Sequence, residues 1–171
     1  MKTLIAYFSH AGENYTHGTI GYLEVGNTEV VARKIHQMIP SDLFYIDTVK
    51  KYPDNHMEKI QVARKEFEEN VRPALTKKVE HMEAYSHIIL AFPNWWTTMP
   101  MALFTFLESD DFDQKIICPL VTHGGSGFSN AIRDIKRLCP TATVKEGLAI
   151  NGDDVNHCDD EIRNWLDQLG L

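Results

Sequence analysis

The sequence predicts an α/β fold, a doubly wound five-stranded parallel sheet in the order 2-1-3-4-5 with helices on both faces, making a three-layer sandwich. Three observations lead there. Residues 3–8, 87–92 and 115–122 are short, nearly continuous apolar runs, which is how strands buried on both faces read. Between them lie longer stretches whose apolar residues recur at helical spacing. The chain has 171 residues, a length that suits one domain over 1–171 with one core.

The first strand, 3–8, runs into a polar loop, 9–28, and then into a helix whose apolar face is Val31, Ile35, Met38 and Ile39 with Ala32 beside them. Asn27 or Thr28 suits its cap. Residues 42–47 read as a second strand with polar ends, fit for a sheet edge. After a turn at Tyr52-Pro53-Asp54, Asn55 and Glu58 have capping-box spacing. Ile60, Ala63, Phe67 and Val71 then form a stripe among charges, a surface helix that ends before Pro73. The third strand is 87–92, and 93–98 is a loop. Pro100 fits the first turn of a helix capped by Thr98 or Met99. That helix, to about Glu108, is apolar nearly all round and therefore deeply buried.

The fourth strand, 115–122, contains Pro119, which cannot donate to a ladder. A local bulge or a strand end would resolve the conflict. Residues 123–127 are a Gly-rich loop; Phe128, Ala131, Ile132, Ile135 and Leu138 make an amphipathic helix; 144–150 is the fifth strand. Asp159, Asp160 and Glu161 fall in the first turn of the last helix, where its dipole favours acid. Ile162, Trp165, Leu166 and Leu169 are its buried face.

Composition narrows the function. A hydrophobic content of 43% with 24% charged residues is ordinary for a globular protein. The net charge of −7 argues against nucleic acid or an anionic membrane as partner. Three cysteines without C-x-x-C spacing suggest free thiols in a reducing compartment. No run suits a signal peptide or a membrane span. A cytoplasmic monomer is the expectation. The eight histidines show no metal-ligand spacing.

In the predicted strand order a crevice opens at the carboxyl ends of strands 1 and 3, where ligands of such sheets bind. Loops 9–28 and 93–98 border it, with 123–127 alongside. The first leads into a helix N-terminus, whose unpaired N–H groups suit a phosphate, and Ser9, Asn27 and Thr28 add side-chain donors. It holds no Lys or Arg before Arg33. Three readings fit it: a plain capped helix; a nucleotide P-loop, since 21–28 matches that pattern except for Asn27 where its Lys belongs; and a loop for the phosphate of flavin mononucleotide (FMN), held without a cation. The second loop carries Trp95 and Trp96, core or lid aromatics unless a planar ligand stacks there, which is worth about 0.5–1.5 kcal/mol. The Gly-rich third loop lets backbone approach a flat ligand.

On Ser9, Gly26-Asn27-Thr28, residues 93–100 and 122–126, essentially the whole chain resembles the flavodoxins and flavodoxin-like proteins. The resemblance implies an FMN cofactor. It makes Ser9, Asn27 and Thr28 phosphate ligands, with His10 beside them, and Trp95 or Trp96 the stacking residue. Pro93, Asn94 and Thr97 of the second loop and His123, Gly124 and Gly125 of the third would flank the flavin ring. A segment around 13–25 interrupts the short phosphate loop of the family, as in a similar bacterial branch with W-W and T-H-G-G loops. It could form a flap over the crevice.

Other readings remain. Gly124-Gly125-Ser126-Gly127-Phe128 lacks the last glycine of a hydrolase nucleophile elbow. A cofactor-free scaffold leaves the two tryptophans at the crevice without a purpose. Within flavoproteins the choice is between a low-potential electron carrier and an NAD(P)H-dependent FMN oxidoreductase of the quinone or flavin reductase type. No general base stands out. Glu13, Glu24, Asp153, Asp154, Asp159 and Asp160 gather on the ligand edge, which favours a carrier steered to redox partner proteins with a basic surface.

Overall fold

The computed structural model describes residues 2–171. A parallel sheet is built from β1 (Lys2–Tyr7), β4 (Asp42–Tyr45), β5 (Tyr85–Pro93), β6 (Ile116–His123), β7 (Thr143–Val144) and β8 (Leu148–Asn151). Its order is β4-β1-β5-β6, with β7 and β8 both pairing to β6. That is the expected 2-1-3-4-5 with its fifth position shared. The helices are α1 (Asn27–Met38), α2 (His56–Glu68), α3 (Met101–Ser109), α4 (Ala131–Leu138) and α5 (Asp159–Leu169).

Strand alternation divides the core between the two faces of the sheet. Leu4, Ala6 and Phe8 join Ile88, Leu90 and Phe92 on the side of α3 and α4; Ile5, Tyr7, Ile89 and Ala91 pack with Val31 and Ile35 of α1 and Ile162 and Trp165 of α5. Continuous apolar strands are needed because both faces are covered. The helix with an almost wholly apolar sequence is α3, which buries six of its nine residues. Pro100 itself is the N-cap, not Thr98 or Met99. The predicted reciprocal box on α2 is half made: Asn55 accepts from the Glu58 N–H at 3.1 Å, while Glu13 accepts from the His56 N–H at 2.8 Å.

The fifth strand is broken, and the break answers the proline. Ile117 O accepts from Lys145 N–H, so residue 119 also turns its backbone groups to that side. β7 ends at Val144 and β8 resumes opposite Leu120, so no carbonyl waits for the N–H that Pro119 lacks. Gly147 fills the gap because a Cβ there would overlap the Phe128 ring and lie 2.9 Å from Pro119 O.

The interrupted first loop is a β-hairpin, β2 (Gly12–Thr16) and β3 (Thr19–Leu23). His17 and Gly18 connect its strands with φ of 47° and 79°, the two left-handed residues of a type I′ turn. α2 packs between this hairpin and α3. No helix among the described residues is long and apolar enough to cross a membrane.

Candidate functional site

A cavity of about 470 Å³ opens at the carboxyl ends of β1, β5 and β6. This size is within the ordinary range for small-molecule sites. Ser9, His10, Asn27, Thr28, Pro93, Asn94, Trp95, Trp96, His123 and Gly124 all line it. Thr97 and Gly125 are exposed and do not line it. The Thr97 carbonyl accepts from Asn130 N–H at 2.8 Å, and the Gly125 N–H donates to His123 Nδ1 at 2.9 Å. That bond leaves Nε2 as the protonated nitrogen of a neutral His123.

The cavity is lined in part by the start of α1. Its N-cap is Gly26, which has no side chain to offer, so Ser9 caps the helix from the loop after β1 by accepting from Glu29 N–H at 3.1 Å. Gly26 is required by close approach: a Cβ would overlap Ser9 Oγ and lie 2.7 Å from His10 O. Thr28 also has a partner inside the fold. Its hydroxyl is buried and pairs with the Thr122 hydroxyl at 2.8 Å, tying α1 to β6. The residue remains at the cavity wall, in the first turn of the helix.

The second loop is a tight turn closed by mutual hydrogen bonds between Trp95 and Thr98. Trp96 and Thr97 both have left-handed backbones, φ 51° and 67°, which non-glycine residues rarely adopt. The turn is held by its surroundings. Asn94 donates to Gly127 O at 2.7 Å and Thr98 to Asp134 at 2.7 Å. The two tryptophans consequently differ. Trp95 is wedged edge-on between Phe8 and Tyr52, with ring centroids at 5.2 and 5.0 Å. Trp96 is 37% exposed; its indole donates to Ile60 O at 3.0 Å, and Arg64 stands over its ring at 5.5 Å.

The hairpin crosses the mouth as a strap. Thr16 Oγ1 and His17 N–H both donate to Asp153 Oδ1, at 3.1 and 2.9 Å, and Glu13 holds the start of α2. Three of the six acids expected to face partners are thus engaged within the chain: Glu13, Asp153, and Asp159, which pairs with Lys34.

Sequence reasoning missed the cation. Lys59 of α2 lines the cavity and is 3% exposed, donating to Glu13 O at 2.6 Å and to Asn14 Oδ1 at 3.2 Å. Burial pushes its ammonium down to about 8. His10 faces it, with Nδ1 at 3.4 Å from Nζ, and burial together with the Lys59 charge lowers the imidazole to about 4. His10 is therefore neutral near pH 7 and turned to Lys59. Only the position of Lys59 in an otherwise charged surface helix marked it, and a lysine there reads as solvated.

None of the curated proteins matches this chain. Among solved structures, a candidate flavoprotein from Bacteroides eggerthii DSM 20697 is similar at 26% identity over 99% of this chain and 98% of its own, with TM-score 0.77. A second from Bacteroides uniformis ATCC 8492 has 27% identity over 97% of each chain and TM-score 0.74. A flavoprotein in complex with FMN from Lactobacillus acidophilus NCFM shares the fold, at 20% identity over 96% of this chain and 97% of its own and TM-score 0.70. The family model for flavodoxin matches residues 2–169. With a match of that extent and a doubly wound sheet that carries its cavity at the switch of strand order, this chain belongs to the flavodoxin family.

Proposed function

We propose that this chain binds FMN in the cavity above β1, β5 and β6 and acts as a low-potential electron carrier. The carrying observation is that one cavity is lined both by a helix N-terminus and by an exposed tryptophan. A ligand with one phosphate and one large planar ring uses both.

The donor chemistry fits. The first-turn N–H groups of α1, the Ser9 hydroxyl and the Asn27 amide would hold the phosphate. Thr28 would contribute its N–H, beside a hydroxyl that is paired with Thr122. Trp96 is the stacking residue, because Trp95 is enclosed by other aromatics. Pro93, Asn94, His123 and Gly124 would border the ring, with His123 offering Nε2–H. The bound flavin supplies the redox chemistry; the protein binds it, orients it and tunes it. The hairpin strap limits water at the mouth. The carrier reading draws on membership of the flavodoxin family and the net charge of −7, which favours basic protein partners. Three buried, unpaired cysteines suit a reducing, cytoplasmic setting.

Titrating the apoprotein with FMN tests the binding: tryptophan emission should be quenched, and less so in Trp96→Phe. Unchanged emission on titration, with free flavin recovered by filtration, removes the assignment. The loaded protein should oxidise NADPH slowly and yet pass electrons to a protein acceptor after photoreduction. Fast, saturable NADPH oxidation moves the chain to the FMN-dependent NAD(P)H oxidoreductases.

A further inference from the structure

Lys59 is a buried cation with no carboxylate in ion-pairing contact, and the Glu13 carboxylate acts on it only through space. Its two hydrogen-bond acceptors, Glu13 O and Asn14 Oδ1, are neutral, and the third neighbour is the His10 ring. The Glu13 carboxylate is turned away to the start of α2, where Asn55 Nδ2 and His56 N–H both donate to it. No carboxylate among the described residues pairs with Lys59. An ammonium in that position is costly unless an anion completes it. Lys59 also lines the cavity, and only His10 separates it from the start of α1: the His10 ring faces Lys59, while the His10 carbonyl abuts Gly26. The helix N-terminus and the ammonium therefore act on one cavity.

Resting on the FMN reading, we propose that Lys59 is a further phosphate-binding residue, the charge that makes this cavity prefer a phosphomonoester to the uncharged alcohol. The phosphate is the only formal charge that oxidised FMN carries, and riboflavin lacks it. A phosphate loop without a cation of its own would then borrow one from α2, across the hairpin insertion. The bonds of Lys59 to Glu13 and Asn14 set the ammonium in place and pin the insertion to α2 with the same side chain.

pH gives a second readout. The groups facing Lys59 are His10 from the loop after β1, Glu13 and Asn14 from β2, and His56 from its own helix, with Asp54 beyond His10. Burial holds both histidines below their ordinary value. A phosphomonoester, with its second pKa near about 6, is a dianion above neutrality. Between neutral pH and pH 9.5 the loss of the Lys59 proton is the change expected to weaken FMN.

The test compares dissociation constants of FMN and riboflavin for the wild-type apoprotein, Lys59→Met and Lys59→Arg. In Lys59→Met, FMN should weaken roughly tenfold to a hundredfold with riboflavin unchanged, the size of a lost charged hydrogen bond. Lys59→Arg should keep most of the preference. Wild-type FMN affinity should fall as pH rises through about 8, and the Lys59→Met profile should be flat there. Equal weakening of both ligands makes Lys59 a pin for the hairpin only and overturns the inference, as does a flat wild-type profile. A wild-type protein that binds neither ligand overturns the FMN reading and this inference with it.

Discussion

Thr28 shows how a residue at a site can also be tied into the interior. Its hydroxyl and that of Thr122 satisfy each other in the interior. Thr28→Val should leave the Thr122 hydroxyl unpaired and lower unfolding stability by about 1–3 kcal/mol in urea titrations. Adding Thr122→Val should recover part of that loss, because a pair of methyls leaves no orphan. His10 carries a pH prediction. Its folded pKa is depressed to about 4 against an ordinary 6.5, so the unfolded chain binds the extra proton between those values. Stability from this group is therefore full above pH 6.5 and lost as pH falls towards 4. Thermal melts across this window should show a shallower slope in His10→Asn than in the wild type.

At the scale of elements, the hairpin stands apart. The parallel strands are buried on both faces, whereas β2 and β3 leave Tyr15, Ile20 and Tyr22 exposed at 60%, 45% and 66%. A two-stranded unit is marginal by itself, so its anchors set its order. The tip anchor is one carboxylate, Asp153, accepting from Thr16 and His17. Asp153→Ala should speed amide exchange across residues 15–20, the tip, by roughly tenfold while the global melting temperature changes little, because local opening draws on few core contacts. A matching fall in global stability would show that the strap is part of the cooperative core. The base, where Glu13, Asn14 and Lys59 meet α2, should stay protected in that variant.

Across the whole molecule, charge and shape point the same way. The net charge is −7, Tyr15 of the hairpin lines the cavity, and Glu24 and Asp154, just after β3 and β8, are exposed and outside the ion pairs of the described residues. With Glu13, Asp153 and Asp159 engaged internally, steering falls to fewer acids than the sequence implied. Electron transfer from the reduced protein to a basic acceptor such as a cytochrome should slow several-fold between low and moderate salt, as screening shortens the reach of the field. The double substitution Glu24→Gln/Asp154→Asn should reduce that salt dependence without altering FMN affinity. A rate indifferent to salt would remove the steering.

The sequence by itself determined the layered fold and the place of the site. Apolar runs mark strands that must be covered on both sides, their alternation with helical stripes forces parallel crossovers, and the order of those crossovers puts the crevice beside Ser9, Asn27, Trp96 and His123. These are local patterns, so they can be read along the chain. What only the tertiary structure decided are the relations between distant segments. Pro119 is accommodated because the neighbouring strand breaks opposite it, and nothing near residue 119 says so. The insertion is a hairpin whose tip is held by a residue more than a hundred positions away. Trp96 is the more exposed of the two tryptophans that line the cavity because Phe8 and Tyr52 enclose the ring of Trp95. Lys59 is a buried charge rather than a solvated one because the hairpin folds over α2. Burial is a property of what lies on top of a residue, and for Lys59 that cover comes from a segment more than forty residues earlier.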